Sequence, residues 1–260
     1  MVNYVPLSIK HHKNLCLNSL TDLSLYKNHS CLPVYSSEVS RLAYNYPLVF
    51  IKQDGQFSLQ LMCSLFSNTT NVFIDGDGKW LGGVVPAYIL QGPFKILQTN
   101  NIEKIICLDE NSDLFGQAGE PLFVNDLPSP FLKKYIEFIS DLYEDAIQTE
   151  AKIALLDEFG LITELTLNIK STGGKAANIK NFYTLDESKL NDLEDEKWLT
   201  LKNRGILSLV YNQLTSINHI KKISYLLNKR GSNLTSSNNF DDIDGLFDEQ
   251  QDTNISFDFL

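Results

Sequence analysis

From Ser129 to Gly160 the chain carries one long helical period, and that run limits what the rest can fold into. Ser129-Pro130 supplies an N-cap and a proline suited to the first turn. Leu132, Tyr135, Ile136, Ile139, Leu142, Tyr143, Ala146 and Ile147 then recur at three- and four-residue spacing. The period runs on through Ile153 and Leu156 to Gly160, a residue suited to the position just past a helix end. About 29 residues at 1.5 Å each give a rod of roughly 43 Å, long enough to cross a whole sheet.

A sheet is what the preceding residues predict. Leu48-Val49-Phe50-Ile51, the pair Asp54-Gly55, and apolar Phe57, Leu59 and Leu61 spell a hairpin. Val72-Phe73-Ile74 and the run from Trp80 suggest a second, and 93–97 and 104–108 add two short strands. The spacing predicts an antiparallel meander over 47–124, with a short helix at Ser37–Tyr44 before it. After the long helix, 161–169 and 179–183 are expected to pair across a polar loop. Asp186 is expected to cap a helix ending near Gly205, and 206–228 to form the last long helix. The fold class is α+β.

Charge divides the chain. Of the net −10, the segment 230–260 holds −6: seven acids against Arg230 alone. The expectation is one α+β domain over 1–230 and an acidic, flexible tail over 231–260. The body lacks the basic face that nucleic-acid phosphates demand, so nucleic-acid binding is not expected. No stretch approaches the 18 or so apolar residues of a membrane span. No charged and apolar N-terminal leader is visible, which makes the cytoplasm the default compartment.

The stretch Phe73 to Tyr88 holds two aspartates, four glycines and a lysine. Counted from Asp75, a calcium loop would need a ligand at Lys79, glycine at Trp80 and glutamate at Pro86, so that reading fails. Gly78-Lys79 is followed by Trp80 rather than Ser or Thr, so it is no P-loop. The remaining reading is a reversal in which Gly76 and Gly78 supply positive φ. His11, His12, Cys16, His29 and Cys31 are all zinc-competent but match no ligand spacing, and no metal or other cofactor is expected. No nucleophile elbow or metalloprotease helix occurs.

In the tail, Phe240, Ile243 and Phe247 recur at helical spacing among aspartates, and Ile255, Phe257 and Phe259 alternate as in a strand. Such a segment suits addition to a sheet edge or docking in a groove, and makes Phe240, Ile243, Phe247, Phe257 and Phe259 candidate contacts for a protein partner. Against that stands an enzyme, or an accessory subunit of one, with a small-molecule or peptide site at the end of the sheet. Its candidate residues are Asp75, Asp77, Lys79, Trp80, Tyr88, Asp109 and Glu120. A buried pocket holding two of these acids with perturbed titration favours the enzyme.

Several pieces together resemble the bacterial SapC family. They are Leu32-Pro33-Val34 with Ser37-Glu38-Val39, Tyr46-Pro47-Leu48-Val49-Phe50, and Phe73-Ile74-Asp75 with Gly78-Lys79-Trp80. Val85-Pro86-Ala87-Tyr88, Pro93-Phe94, Cys107-Leu108-Asp109 and Gly119-Glu120-Pro121-Leu122-Phe123 follow in order. Tyr183 to Glu187 and Gly205-Ile206-Leu207 fit more loosely. The resemblance spans roughly residues 4–227. It implies a surface-layer or envelope-associated role in bacteria; joined to the tail pattern, the first expectation is a non-enzymatic protein that binds a protein partner in that setting. The resemblance brings no reaction, cofactor or catalytic residue with it.

Overall fold

A computed structural model describes residues 3–65, 70–98, 103–170, 176–179 and 181–231. The candidate tail contacts from Phe240 to Phe259 lie outside the described residues.

The hairpin at Asp54-Gly55 forms as its sequence dictates. Both residues have positive φ, 50° and 84°, the backbone that a two-residue turn matching strand twist requires. Leu48–Gln53 pairs with Gln56–Met62 from Leu48↔Leu61 to Gln53↔Gln56. Cys31–Pro33 adds to the outer edge of the second strand, and Tyr183–Leu185 followed by Ile162–Glu164 to the first. The result is a five-stranded antiparallel sheet.

The chain then leaves this sheet, which divides the expected meander in two. Trp80 meets Ile74 through one isolated bridge rather than a hairpin. Phe94–Gln98 and Lys104–Asp109 pair with each other and with Tyr4–Pro6 in a separate three-stranded sheet. A third, small sheet sets Cys16–Leu17 between Phe115–Gly116 and Glu120–Pro121. Every pairing among the described residues is antiparallel, as the α+β reading expects, but neighbours in sequence need not share a sheet.

Two apolar cores follow from the two larger sheets. One gathers Leu48, Phe50, Leu61, Phe73, Ile153 and Leu156; the other gathers Phe94, Leu108, Leu122, Leu132 and Ile139. The helix Pro130–Glu158 joins them, giving Leu132 and Ile139 to one and Ile153 and Leu156 to the other. The Ser129 hydroxyl accepts from the Leu132 amide at 3.0 Å, and Gly160 closes the helix with φ 70°.

The C-terminal helices are shorter than expected. Asp186 does cap a helix, accepting from the Lys189 amide, but it spans only Glu187–Asn191. Glu194 is extended, at φ −56° and ψ 142°, so a new helix starts at Asp195 and runs to Asn203. The last run is Leu207–Ser216 and Ile220–Gly231, separated by a 3-10 turn at Ile217–His219. Their apolar faces, with Leu201, Ile206, Val210 and Ile223, enter the core of the five-stranded sheet.

Candidate functional site

The glycine-rich stretch is a tied turn. Asp75 Oδ1 accepts from the amides of Asp77 at 2.9 Å and Lys79 at 2.8 Å, and the Asp75 amide donates to the Lys79 carbonyl at 2.9 Å. Gly78 has φ 79°, and a Cβ there would sit 1.9 Å from Asp22 Oδ1. Gly76 is not left-handed, so only one of the two glycines is required by backbone geometry. The side chains of Asp77 and Lys79 are exposed.

Trp80 serves the same local structure. Its indole Nε1 donates to the Tyr46 hydroxyl at 2.8 Å, and that hydroxyl donates to the Val84 carbonyl at 2.8 Å. Its ring lies 5.7 Å from Phe73 and 5.8 Å from Tyr46. Glu120 is exposed, opposite Leu17 in the small sheet.

Tyr88 and Asp109 have a different setting. A cavity of about 480 Å³ opens between the two cores, alongside the middle of the long helix, and both residues line it. The volume falls within the range of small-molecule sites. Tyr4, Tyr26, Tyr35, Tyr88 and Tyr143 supply its aromatic surface. Ile96, Leu114, Ile139 and Leu142 form its apolar floor; His29, Gln91, Lys95 and Asp109 add polar atoms.

A buried acid positions Tyr88. Glu38, 1 % exposed, accepts from the Ala87 amide at 2.9 Å through Oε2 and from the Tyr35 amide at 3.4 Å through Oε1. These bonds hold the start of the short helix Ala87–Leu90 and the Tyr35 backbone to one carboxylate. Burial raises the Glu38 carboxyl, while the amides of Ala87 and Tyr35 pull it back. The other end of that helix is held by Tyr135, whose hydroxyl lies 2.9 Å from the Leu90 carbonyl and 3.0 Å from that of Gln91.

The phenols gather around Tyr88. The Tyr26 and Tyr88 rings meet edge to face at 6.2 Å, and His29 lies 5.5 Å from the Tyr26 ring. Burial pushes the Tyr26 hydroxyl up to about 12, with Tyr88 and Tyr4 nearby adding to the rise. Tyr35 and Tyr4 are raised too, again chiefly by burial. Burial also lowers the His29 imidazole, against a smaller opposing effect of the Tyr26 carbonyl. Tyr4, Tyr26, Tyr35 and His29 are therefore uncharged at neutral pH. His29 Nδ1 is itself buried, with the Tyr26 carbonyl as the backbone acceptor acting on the imidazole. Asp109 Oδ1 accepts from the amides of Asn3 at 2.7 Å and Asn111 at 3.2 Å.

Of the seven residues singled out from sequence for a site at the sheet end, the cavity gathers Tyr88 and Asp109. Asp75, Asp77, Lys79, Trp80 and Glu120 are not among its lining residues. Sequence reasoning missed Tyr4, Tyr26, His29, Tyr35 and the buried Glu38. The available signal was the density of Tyr26, His29 and Tyr35 in a segment without periodicity.

The zinc-competent residues are dispersed. His12 Nδ1 accepts from the Ser8 amide and its Nε2 faces Glu110 at 3.3 Å, while His29 lines the cavity. Among the described residues no group of three or more His, Cys, Asp or Glu has the arrangement to hold a metal ion. No described helix is long and apolar enough to cross a membrane. No curated protein and no solved structure matches the chain. The SapC family model matches residues 7–223, nearly the whole of the body that builds both cores and the cavity, and the chain belongs to the SapC family.

Proposed function

We propose that this chain is a non-enzymatic binding protein of an envelope or surface-layer setting in bacteria, and that the tyrosine-lined cavity is where it grips its ligand. The observation that carries the reading is a cavity of small-molecule size, about 480 Å³, lined by five tyrosines with Lys95 and Asp109. The pairing of two acids in one pocket that would favour an enzyme does not support that alternative here. Of Asp75, Asp77, Asp109 and Glu120, the cavity contains only Asp109.

The test is a fragment screen by ligand-observed NMR against the wild type and Tyr88→Ala. The reading expects saturable binders that Tyr88→Ala weakens and that emerge chemically unchanged. Conversion of a binder into product, or binding indifferent to Tyr88→Ala, counts against it.

The spacing of Phe240, Ile243, Phe247, Phe257 and Phe259 supports a second contact, between the acidic tail and a protein partner. A pull-down from native-host lysate with the full chain and with a chain ending at Arg230 tests it. Equal capture by both removes the tail from the interaction.

A further inference from the structure

We propose that this cavity takes a zwitterion, an α-amino acid with an aromatic or large apolar side chain. The inference rests on the reading of the cavity as a binding site and narrows its ligand to a chemical class.

The selecting feature is one pair of opposite charges. Among the described residues that line the cavity, Lys95 and Asp109 are the only lysine, arginine, aspartate or glutamate. Strand register sets them side by side. Lys95 lies opposite Cys107 and Tyr4 opposite Asp109, so Lys95, Asp109 and Tyr4 stand on one face of the three-stranded sheet. Lys95 and Asp109 are diagonal neighbours on adjacent strands, about 7–8 Å apart at the backbone. The Lys95 ammonium lies 5.9 Å from the Tyr4 ring, and Tyr4 is on the far side of the strand that carries Asp109. The lysine therefore leans across that strand, toward the row that holds the aspartate.

The two charges nevertheless do not pair. No ion pair among the described residues involves either side chain. Asp109 is tied through Oδ1 to the amides of Asn3 and Asn111, at 2.7 Å and 3.2 Å, which holds its carboxylate at the strand end.

What each class of ligand meets here follows from the signs of these charges. An anion is drawn to Lys95 and repelled by Asp109, and a cation meets the reverse. A neutral ligand answers neither. An α-amino acid carries an ammonium and a carboxylate on one carbon, so its carboxylate faces Lys95 while its ammonium faces Asp109. The two contacts together fix the direction in which it lies. Its side chain has apolar surface to meet in the same cavity: Leu114, Tyr88 and Tyr143 are half-buried and Leu25 is exposed. About 480 Å³ is ample for such a molecule.

The experiment is saturation-transfer NMR on the full chain with a matched series of probes. L-Phenylalanine is the zwitterion; phenethylamine keeps only the cation, 3-phenylpropanoate only the anion, and 2-phenylethanol neither. The expected result is saturable transfer to L-phenylalanine and weaker binding of all three analogues. Lys95→Met should weaken L-phenylalanine by roughly 2- to 5-fold, the worth of a partly exposed ion pair, and should not weaken phenethylamine. Asp109→Asn keeps the Oδ1 that the two amides need. It should weaken L-phenylalanine to a similar degree and should not weaken 3-phenylpropanoate. Glu120→Gln, on the exposed small sheet, should change nothing. An analogue that binds as tightly as L-phenylalanine, and is weakened by Tyr88→Ala, overturns the zwitterion assignment and leaves the binding site standing. L-Phenylalanine binding indifferent to both Lys95→Met and Asp109→Asn overturns the role of the charge pair. No transfer to any of the four probes overturns the inference, and together with an empty fragment screen it overturns the reading beneath it as well.

Discussion

At position 78 a side chain meets two obstacles at once, a φ of 79° and Asp22 Oδ1 at 1.9 Å from any Cβ. Left-handed backbone alone costs an L-residue about 1–2 kcal/mol. Gly78→Ala should therefore destabilise by at least about 1 kcal/mol in urea unfolding, because the aspartate can swing aside but the backbone cannot. Gly76→Ala is the control. Nothing lies within 4 Å of a Cβ there and φ is not left-handed, so it should stay within about 0.5 kcal/mol of wild type. Equal losses at both positions would contradict this account of the turn. The turn itself was legible in the sequence, because Asp and Gly at these spacings act within five residues of one another.

Glu38 makes a pH-dependent prediction. Its carboxyl is raised above the ordinary 4.5 in the folded state, so the folded chain holds this proton more tightly than the unfolded chain does. The resulting stabilisation is full below pH 4.5 and is lost as pH rises through the raised value. Glu38→Gln removes the ionisation while keeping an acceptor for the Ala87 amide. Urea midpoints taken from about pH 4 to about pH 8 should show the variant gaining on wild type as pH rises. A constant difference across that range would dispose of the argument. Nothing in the local sequence marked Glu38 as buried, since its burial comes from Tyr35 and Ala87, and the latter is 49 residues away.

At the scale of elements, periodicity and caps were reliable and partnership was not. The long helix runs from Pro130 to Glu158 as its spacing requires, with Ser129 and Gly160 at its ends. The strands at Phe94–Gln98 and Lys104–Asp109 are also where alternation puts them. They join Tyr4–Pro6 rather than the first hairpin because Asn71–Leu90 is spent on a turn and a short helix that carry the chain away. Joining of elements rests on residues such as Gln213, which is fully buried. Its Nε2 donates to the Leu48 carbonyl at 3.0 Å and its Oε1 accepts from the Leu185 amide at 3.2 Å. Gln213→Leu fills the space but leaves both backbone groups unpaired. The expected loss is about 2 kcal/mol or more by chemical denaturation. A loss under about 0.5 kcal/mol would mean that the helix Leu207–Ser216 is held by its apolar face alone.

Across the whole molecule the long helix gives side chains to both cores, so the two are expected to unfold together. Leu132 is buried in the core of the three-stranded sheet and Leu156 in that of the five-stranded sheet. Both tryptophans, Trp80 and Trp198, pack against the second of these. Leu132→Ala and Leu156→Ala should each cost about 2–5 kcal/mol. Each should also shift the tryptophan fluorescence and the circular dichroism transitions together. A Leu132→Ala variant whose fluorescence transition stays at the wild-type midpoint would show that the halves unfold independently. The same division into two cores creates the cavity, which opens where their surfaces diverge beside the helix. By itself the sequence determined what short-range chemistry controls: the turn at Asp54-Gly55, the helix caps, the strand alternation and the asymmetry of charge. Only the tertiary structure decided which strands share a sheet, and that Tyr4, Tyr26, His29, Tyr35, Tyr88 and Asp109 face one space. Those residues come from separate segments with no common period, and they meet only because burial of two apolar cores against one helix brings their backbones together.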